Sequence, residues 1–274
     1  MNIFSIEKGV CKGLRLEIAI PEGVSEISRE AFRNEHLHIV LIPASVVVIG
    51  KSAFEDSTIK KISIPDGVKI IEKRTFHGCK NLRSVMLGNG VTSIGDEAFK
   101  LCRSLTSITI PDSVLSIGDS AFRDCTGLTS VTLGNSVTFI GDNAFSGCTD
   151  LTSITIPDNV TEIGERAFMY CTALTSVTIG NGVTTIGESV FGYCRGLTSV
   201  TIGNSVTAIG KSAFYGCTGL KSISIPESVT SIDDSAFRYC TGFTIYGTKG
   251  SYAETYAKEN NISFCDIADC VKEE

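Results

Sequence analysis

LTSITIPDSVLSIGDSAFRDC, residues Leu105 to Cys125, is one turn of a pattern that runs down most of the chain. Its apolar positions fall at Leu105, Ile108, Ile110, Val114, Ile117, Ala121, Phe122 and Cys125. Ile108 and Ile110 alternate with Ser107 and Thr109, the period of a short strand with one buried face. Pro111-Asp112 ends that strand, and alternate units use Gly134-Asn135 instead. Proline cannot donate to a ladder and Gly-Asn supports positive φ, so both make corners. The return limb buries Val114, Ile117, Ala121 and Phe122. Gly118-Asp119 ahead of Ser120-Ala121-Phe122 reads as the cap of a single helical or 3₁₀ turn.

The phenylalanine of this unit recurs at Phe32, Phe54, Phe76, Phe99, Phe122, Phe145, Phe168, Phe191, Phe214 and Phe237, at intervals of 22 and then 23 residues. A period this regular means stacked units, each too poor in apolar surface to fold alone. Stacking buries the open faces and pairs each strand with its neighbours. Ten strands spaced ~4.8 Å apart predict a sheet about 45–50 Å long, a shape with a broad surface and few places for a deep pocket.

The consensus L-x-x-I-x-I-P-x-x-V-x-x-I-G-x-x-A-F-x-x-C resembles the BspA-like leucine-rich repeat family, a 23-residue repeat surface-antigen family, over about residues 14–245. The resemblance implies a leucine-rich-repeat solenoid: a curved stack of about ten units, a parallel concave β-sheet, and short 3₁₀ or irregular return limbs. It also implies surface attachment and binding of host or extracellular-matrix protein without catalysis. On this reading residues 1–13 form an N-terminal cap, 14–245 the solenoid and 246–274 a C-terminal cap and tail. Ser251-Tyr-Ala-Glu254 has capping-box spacing. It predicts a helix over 252–259 with Tyr252 and Tyr256 on one face, stopped by Asn260-Asn261 and followed by Ile262-Ser-Phe264.

With 274 residues and an unbroken repeat, one domain is expected. The net charge of −6 gives no general attraction to nucleic acid, yet residues 60–103 hold nine basic and four acidic side chains. That segment is read mainly as a solvated rim, with a docking patch for an acidic partner as the alternative. No stretch approaches 18 apolar residues, so no transmembrane segment is expected. Glu7, Lys8 and Lys12 interrupt any signal-peptide core. The family resemblance therefore implies a cell-surface or secreted protein while the N-terminus reads as cytoplasmic, and an intracellular protein-interaction scaffold is the alternative function. A monomer with a protein ligand is expected.

Eight of the eleven cysteines lie 23 residues apart, three after each phenylalanine: Cys79, Cys102, Cys125, Cys148, Cys171, Cys194, Cys217 and Cys240. In leucine-rich repeats this column faces inward at a corner. Neighbours ~4.8 Å apart with parallel side chains are too far for disulfides, so a reduced structural ladder is expected. Cys265 and Cys270 are a weak candidate for a disulfide or metal pair.

Three surfaces are candidates for binding. The outward columns of the long sheet carry Ser130, Thr132, Ser153, Thr155, Ser176 and Thr178, a hydroxyl face with little energetic grip, because hot spots favour Trp, Tyr and Arg. Tyr170, Tyr193 and Tyr239 share one column two residues past the phenylalanine, with Tyr215 one residue earlier, and predict an aromatic stripe along one edge. Asp96, Asp119, Asp142, Glu165 and Glu188 form an acidic column ended by Lys211, where each residue is expected to cap its own turn and point into solvent. A calcium role is the lesser reading, since the dedicated nonapeptide pattern is absent.

Catalytic motifs fail on inspection. Gly50-Lys51-Ser52 and Gly210-Lys211-Ser212 resemble P-loop tails, but Ser45 and Ser205 stand where the first glycine is required. His36, His38 and His77 have no cysteine or acid at metal-ligand spacing in sequence. No catalytic, cofactor or metal site, and no enzymatic activity, is expected.

Overall fold

The structure, a computed structural model, describes residues 4–6 and 17–270, with the side chains of 17–269. Most of the N-terminal cap expected over 1–13 lies outside the described residues. The chain winds as a parallel β-solenoid of about eleven turns. Each turn gives one strand to a long sheet, which runs in two pieces of four and eight strands. The first piece holds Glu17–Ala19, Ile39–Leu41, Lys61–Ser63 and Ser84–Met86. The second runs from Ser107–Thr109 to Thr244–Gly247 and Ser263–Asp266. Register follows the repeat, with Ser107 beside Ser130 and Ser153 beside Ser176 beside Ser199.

The return limb is irregular, and no helical or 3₁₀ turn forms where Gly118-Asp119 predicts one. Two-residue strands such as Ser93–Ile94, Ser116–Ile117 and Phe139–Ile140 pair in parallel and build a second sheet. The phenylalanine corner after them is a run of turns. Its backbone bonds alternate, so that no amide is left dry. Ala121, Arg123 and Cys125 donate back three residues within the unit, while Ser120, Phe122 and Asp124 donate to Asp142, Ala144 and Ser146 of the next. Ser120 and Asp124 take left-handed φ of 56° and 58° to allow this.

Every inward position of the quoted unit is buried, from Leu105 through Cys125. The phenylalanine rings form a continuous stack from Phe32 to Phe237, centroids 5.1–5.5 Å apart and planes within 16°. The alternation of Pro-Asp and Gly-Asn corners has a packing reason. A Cβ at Gly134 would stand 2.5 Å from the Pro111 carbonyl, so glycine lets the second unit settle onto the first. The Asp112 carboxylate then accepts the Asn135 amide at 2.7 Å, and Asp66–Asn89 and Asp158–Asn181 repeat the contact. Threonines tie the stack elsewhere: Thr129, Thr152, Thr175 and Thr198 each donate a hydroxyl to the carbonyl one unit back.

The helix expected over 252–259 is present as Tyr252–Glu259. Ala253, Tyr256 and Ala257 are buried, and Tyr256 packs on Phe237. Its start departs from a capping box. Ser251 makes no side-chain cap bond and its hydroxyl is buried without a partner, while Glu254 reaches past it to accept the Gly250 amide at 2.6 Å. Ser251→Ala is therefore expected to leave the urea midpoint unchanged or slightly raised, whereas a working cap would lose about 1 kcal/mol. A clearly lower midpoint would restore Ser251 as the cap.

Candidate protein-contact surfaces

The tyrosine column stands on strained backbone. Two residues past each phenylalanine the chain needs left-handed φ, which Gly78, Gly147, Gly216, Asn34, Asp56 and Asp124 supply at little cost and Leu101 supplies at 64°. Tyr170, Tyr193 and Tyr239 take the same conformation at 63°, 60° and 65°. A bulky residue held there costs of order 1 kcal/mol, and such costs gather at functional positions. The rings form one ladder. Tyr170 stacks on Tyr193 at 4.9 Å, and Tyr215 meets Tyr193 at 5.1 Å and Tyr239 at 5.0 Å edge to face. Tyr215 bridges where the column falls on Gly216, whose missing side chain leaves room for the Tyr193 ring. A shallow cleft opens there, lined by Tyr193, Arg195, Tyr215, Thr218 and Tyr239. Arg238 lies over the Tyr239 ring at 5.3 Å, a cation–π contact. Tyr170 is 46% and Tyr239 56% exposed, so the ends of the ladder are open to solvent.

The hydroxyl face lies where alternation places it. Ser130, Thr132, Ser153, Thr155, Ser176 and Thr178 point out of the long sheet, and their hydroxyls make no bond to protein among the described residues.

The acidic column binds differently from expectation. The three aspartates accept the amide of their counterpart in the next unit instead of capping their own turn: Asp96 from Asp119, Asp119 from Asp142, and Asp142 from Glu165, at 2.7–3.3 Å. Glu188 is paired with Arg166 at 3.1 Å and Lys211 at 3.7 Å.

The cysteines of the ladder carry free thiols, buried in every unit but the last. Each donates to the carbonyl of the phenylalanine one unit back, at 2.9–3.3 Å. Burial pushes the Cys79 and Cys125 thiols up to about 12, so they stay protonated and unreactive. Ser57 occupies the same column in an earlier unit and lies 3.5 Å from the Cys79 sulfur. Cys265 is disulfide-bonded; the side chain of Cys270, its candidate partner, lies outside the described residues.

One cluster escaped the sequence reading. Stacking at 22 residues sets His77 above Glu55, with the ligand atoms of Glu55, Asp56 and His77 within 4.8 Å of one another. The spacing rule for metal ligands looks along the chain, whereas these residues meet across units. The signal was the column after the phenylalanine, which reads Arg33, Glu55, His77, Lys100. Glu55 is buried and already neutralised by Arg33 at 3.6 Å and Arg74 at 3.7 Å. Burial, then the Arg74 charge, lowers the His77 pKa. The arrangement is an ion-pair network that lets a carboxylate sit inside the edge.

No helix among the described residues is long and apolar enough to cross a membrane. No curated protein sequence matches the chain. A leucine-rich repeat protein from Bacteroides ovatus is similar at 27% identity and a TM-score of 0.50, over 92% of each chain. A leucine rich cell surface protein from Faecalibacterium prausnitzii is similar at 28% identity and a TM-score of 0.47, over 92% of this chain and 91% of that one. The pneumococcal vaccine antigen PcpA shares the fold at 17% identity and a TM-score of 0.53, over 96% of this chain and 82% of its own. The family model described as BspA type leucine rich repeat region matches residues 5–129 and 116–244. With its model spanning nearly all of the solenoid, the chain belongs to the BspA type leucine rich repeat family.

Proposed function

We propose that this chain is a non-enzymatic protein-binding solenoid working at a cell surface, in adhesion or the capture of a host or matrix protein, and that the tyrosine ladder is its hot spot. The observation that carries the proposal is the ladder itself: four rings linked by contacts, part exposed, three of them on left-handed backbone that other units, Leu101 apart, give to glycine, asparagine or aspartate. Nothing in packing requires them, because Gly78 and Gly147 fill the same column. Tyrosine gives large contact area at low entropic cost. The hydroxyl face from Ser130 to Thr178 is assigned the wet, weak part of any contact. Residues 14–245 are taken as the binding solenoid and the two ends as its caps.

Surface placement rests on the family. The seven buried thiols, Cys79 to Cys217, do not oppose it, since buried protonated sulfur is protected from oxidation in either compartment. Protease shaving of intact source cells tests location: peptides released before lysis support the surface reading, and peptides seen only after lysis favour an intracellular scaffold. Tyr170→Ala with Tyr193→Ala tests the site. Truncating hot-spot residues costs roughly 2 kcal/mol, some thirtyfold in affinity. The double variant should lose that much for matrix proteins captured by the native chain, with its thermal midpoint kept. Equal capture would remove the ladder as the contact.

A further inference from the structure

The long sheet changes character along its length. From Ser107 to Ser224 its outward columns hold only serine and threonine. In the earlier units the same columns hold Ile39, Leu41, Lys61 and Met86 beside Glu17, Ala19, Ser63 and Ser84, with Lys60 and Arg83 one position before. Register sets Lys61 between Ile39 and Ser84, and Met86 beside Ser63. The Arg83 amide donates to the Lys60 carbonyl, so these two cations stand side by side just ahead of neighbouring strands. Ile39, Leu41 and Met86 are 36%, 52% and 62% exposed. Lys60, Lys61 and Arg83 form no ion pair among the described residues. Lys73, Arg74 and Lys100, from the same basic segment, are held by Asp96, Glu55 and Glu97 on other faces.

The backbone marks the same place. The ladder of the long sheet is interrupted between Ser84–Met86 and Ser107–Thr109. Met86 stands between two clefts, one reaching Ile42 and Pro65, the other Thr109 and Pro111. Three cations without an ion pair among the described residues and three exposed apolar side chains thus share one end of a face on which Glu17, beside Ile39, and Lys221, before Ser222, are the other charges of these columns.

We propose that this patch docks an acidic segment of a partner protein, its carboxylates on Lys60, Lys61 and Arg83 and an apolar side chain over Met86. The unpaired cations call for an anion, and positive charge on a chain of net −6 is locally concentrated here. The apolar component selects a peptide. A phosphate or sulfate polymer would leave Ile39, Leu41 and Met86 uncovered, while the flexible thioether of methionine adapts to varied side chains. The patch lies on the long sheet and the tyrosine ladder on the edge, so each stands or falls without the other.

The test uses the full chain and a short fluorescein-labelled peptide of repeating Asp-Asp-Leu, followed by polarisation at low and physiological salt. Controls are an Asp-Asp-Ser peptide and heparin. Lys60→Thr, Lys61→Ser and Arg83→Thr together install residue types that later units carry in these columns, so the stack is preserved. This variant should bind about tenfold more weakly or worse and lose its salt dependence. Met86→Thr should weaken the Asp-Asp-Leu peptide by about threefold to tenfold, the range for one buried apolar contact, and leave Asp-Asp-Ser unaffected. Tyr170→Ala with Tyr193→Ala should change nothing. Absence of saturable binding, or binding of heparin and both peptides alike with no effect of Met86→Thr, would overturn the proposal.

Discussion

Cys148→Arg should break the solenoid at its middle, losing at least about 4 kcal/mol of stability from the buried unpaired charge and the overpacking together. Cys148 is fully buried, and its sulfur lies 3.3 Å from the Phe122 carbonyl. The guanidinium would meet apolar side chains and backbone carbonyls already bonded to amides. In a stack where each unit touches only its neighbours, the damage falls on two interfaces at once. Urea unfolding should show more than one transition, and amide exchange should rise first in the units of Phe122, Phe145 and Phe168. Cys148→Ser is the control. The hydroxyl keeps the donated bond, and Ser57 already stands in that column, so a loss of about 1 kcal/mol is expected. If the arginine variant melts like the serine one, the column does not face inward.

Much of this was legible because one dimension dominates. The 23-residue interval sets which residues stack, so the buried columns and the outward strand face could be read from a single unit. What stayed hidden depends on contacts between units. A two-residue strand such as Ser116–Ile117 has no pattern of its own and exists only because Ser93 and Phe139 flank it. The Asp119 carboxylate faces two amides of equal chemistry, its own turn's and Asp142's, and geometry alone picks the second. At the C-terminal helix the capping-box letters predict the helix start, but Glu254 takes the amide of Gly250, one residue earlier, and the Ser251 hydroxyl finds no partner. The tyrosine stripe was visible as a column, but not the left-handed backbone beneath it or the bridging role of Tyr215 across Gly216. The ion-pair network around Glu55 and His77 was missed because ligand spacing was sought along the chain rather than down a column.

Phe145→Ala should cost about 3–5 kcal/mol, the range for emptying a buried aromatic site. The ring is fully buried and stacks on Phe122 at 5.1 Å and Phe168 at 5.3 Å, so truncation removes contacts in two directions. Its backbone remains tied: the Phe145 amide donates to Ala167, and its carbonyl accepts the Cys148 amide and the Cys171 thiol. The corner can therefore neither collapse into the void nor release it, and partial relaxation is what makes cavity costs small elsewhere. Phe237→Ala is the comparison. It lies at the last turn, where Phe243 and Tyr256 lean on it at 5.4 and 6.1 Å with tilted planes. That end can fray without opening the rest, so the central variant should lower the global urea midpoint far more. Exchange rates should show the Phe145 variant loosening both neighbouring units and the Phe237 variant loosening only the terminal one. Equal global losses at the two positions would mean that the ring stack is not a chain of nearest-neighbour contacts, and the solenoid would have to be treated as one cooperative block.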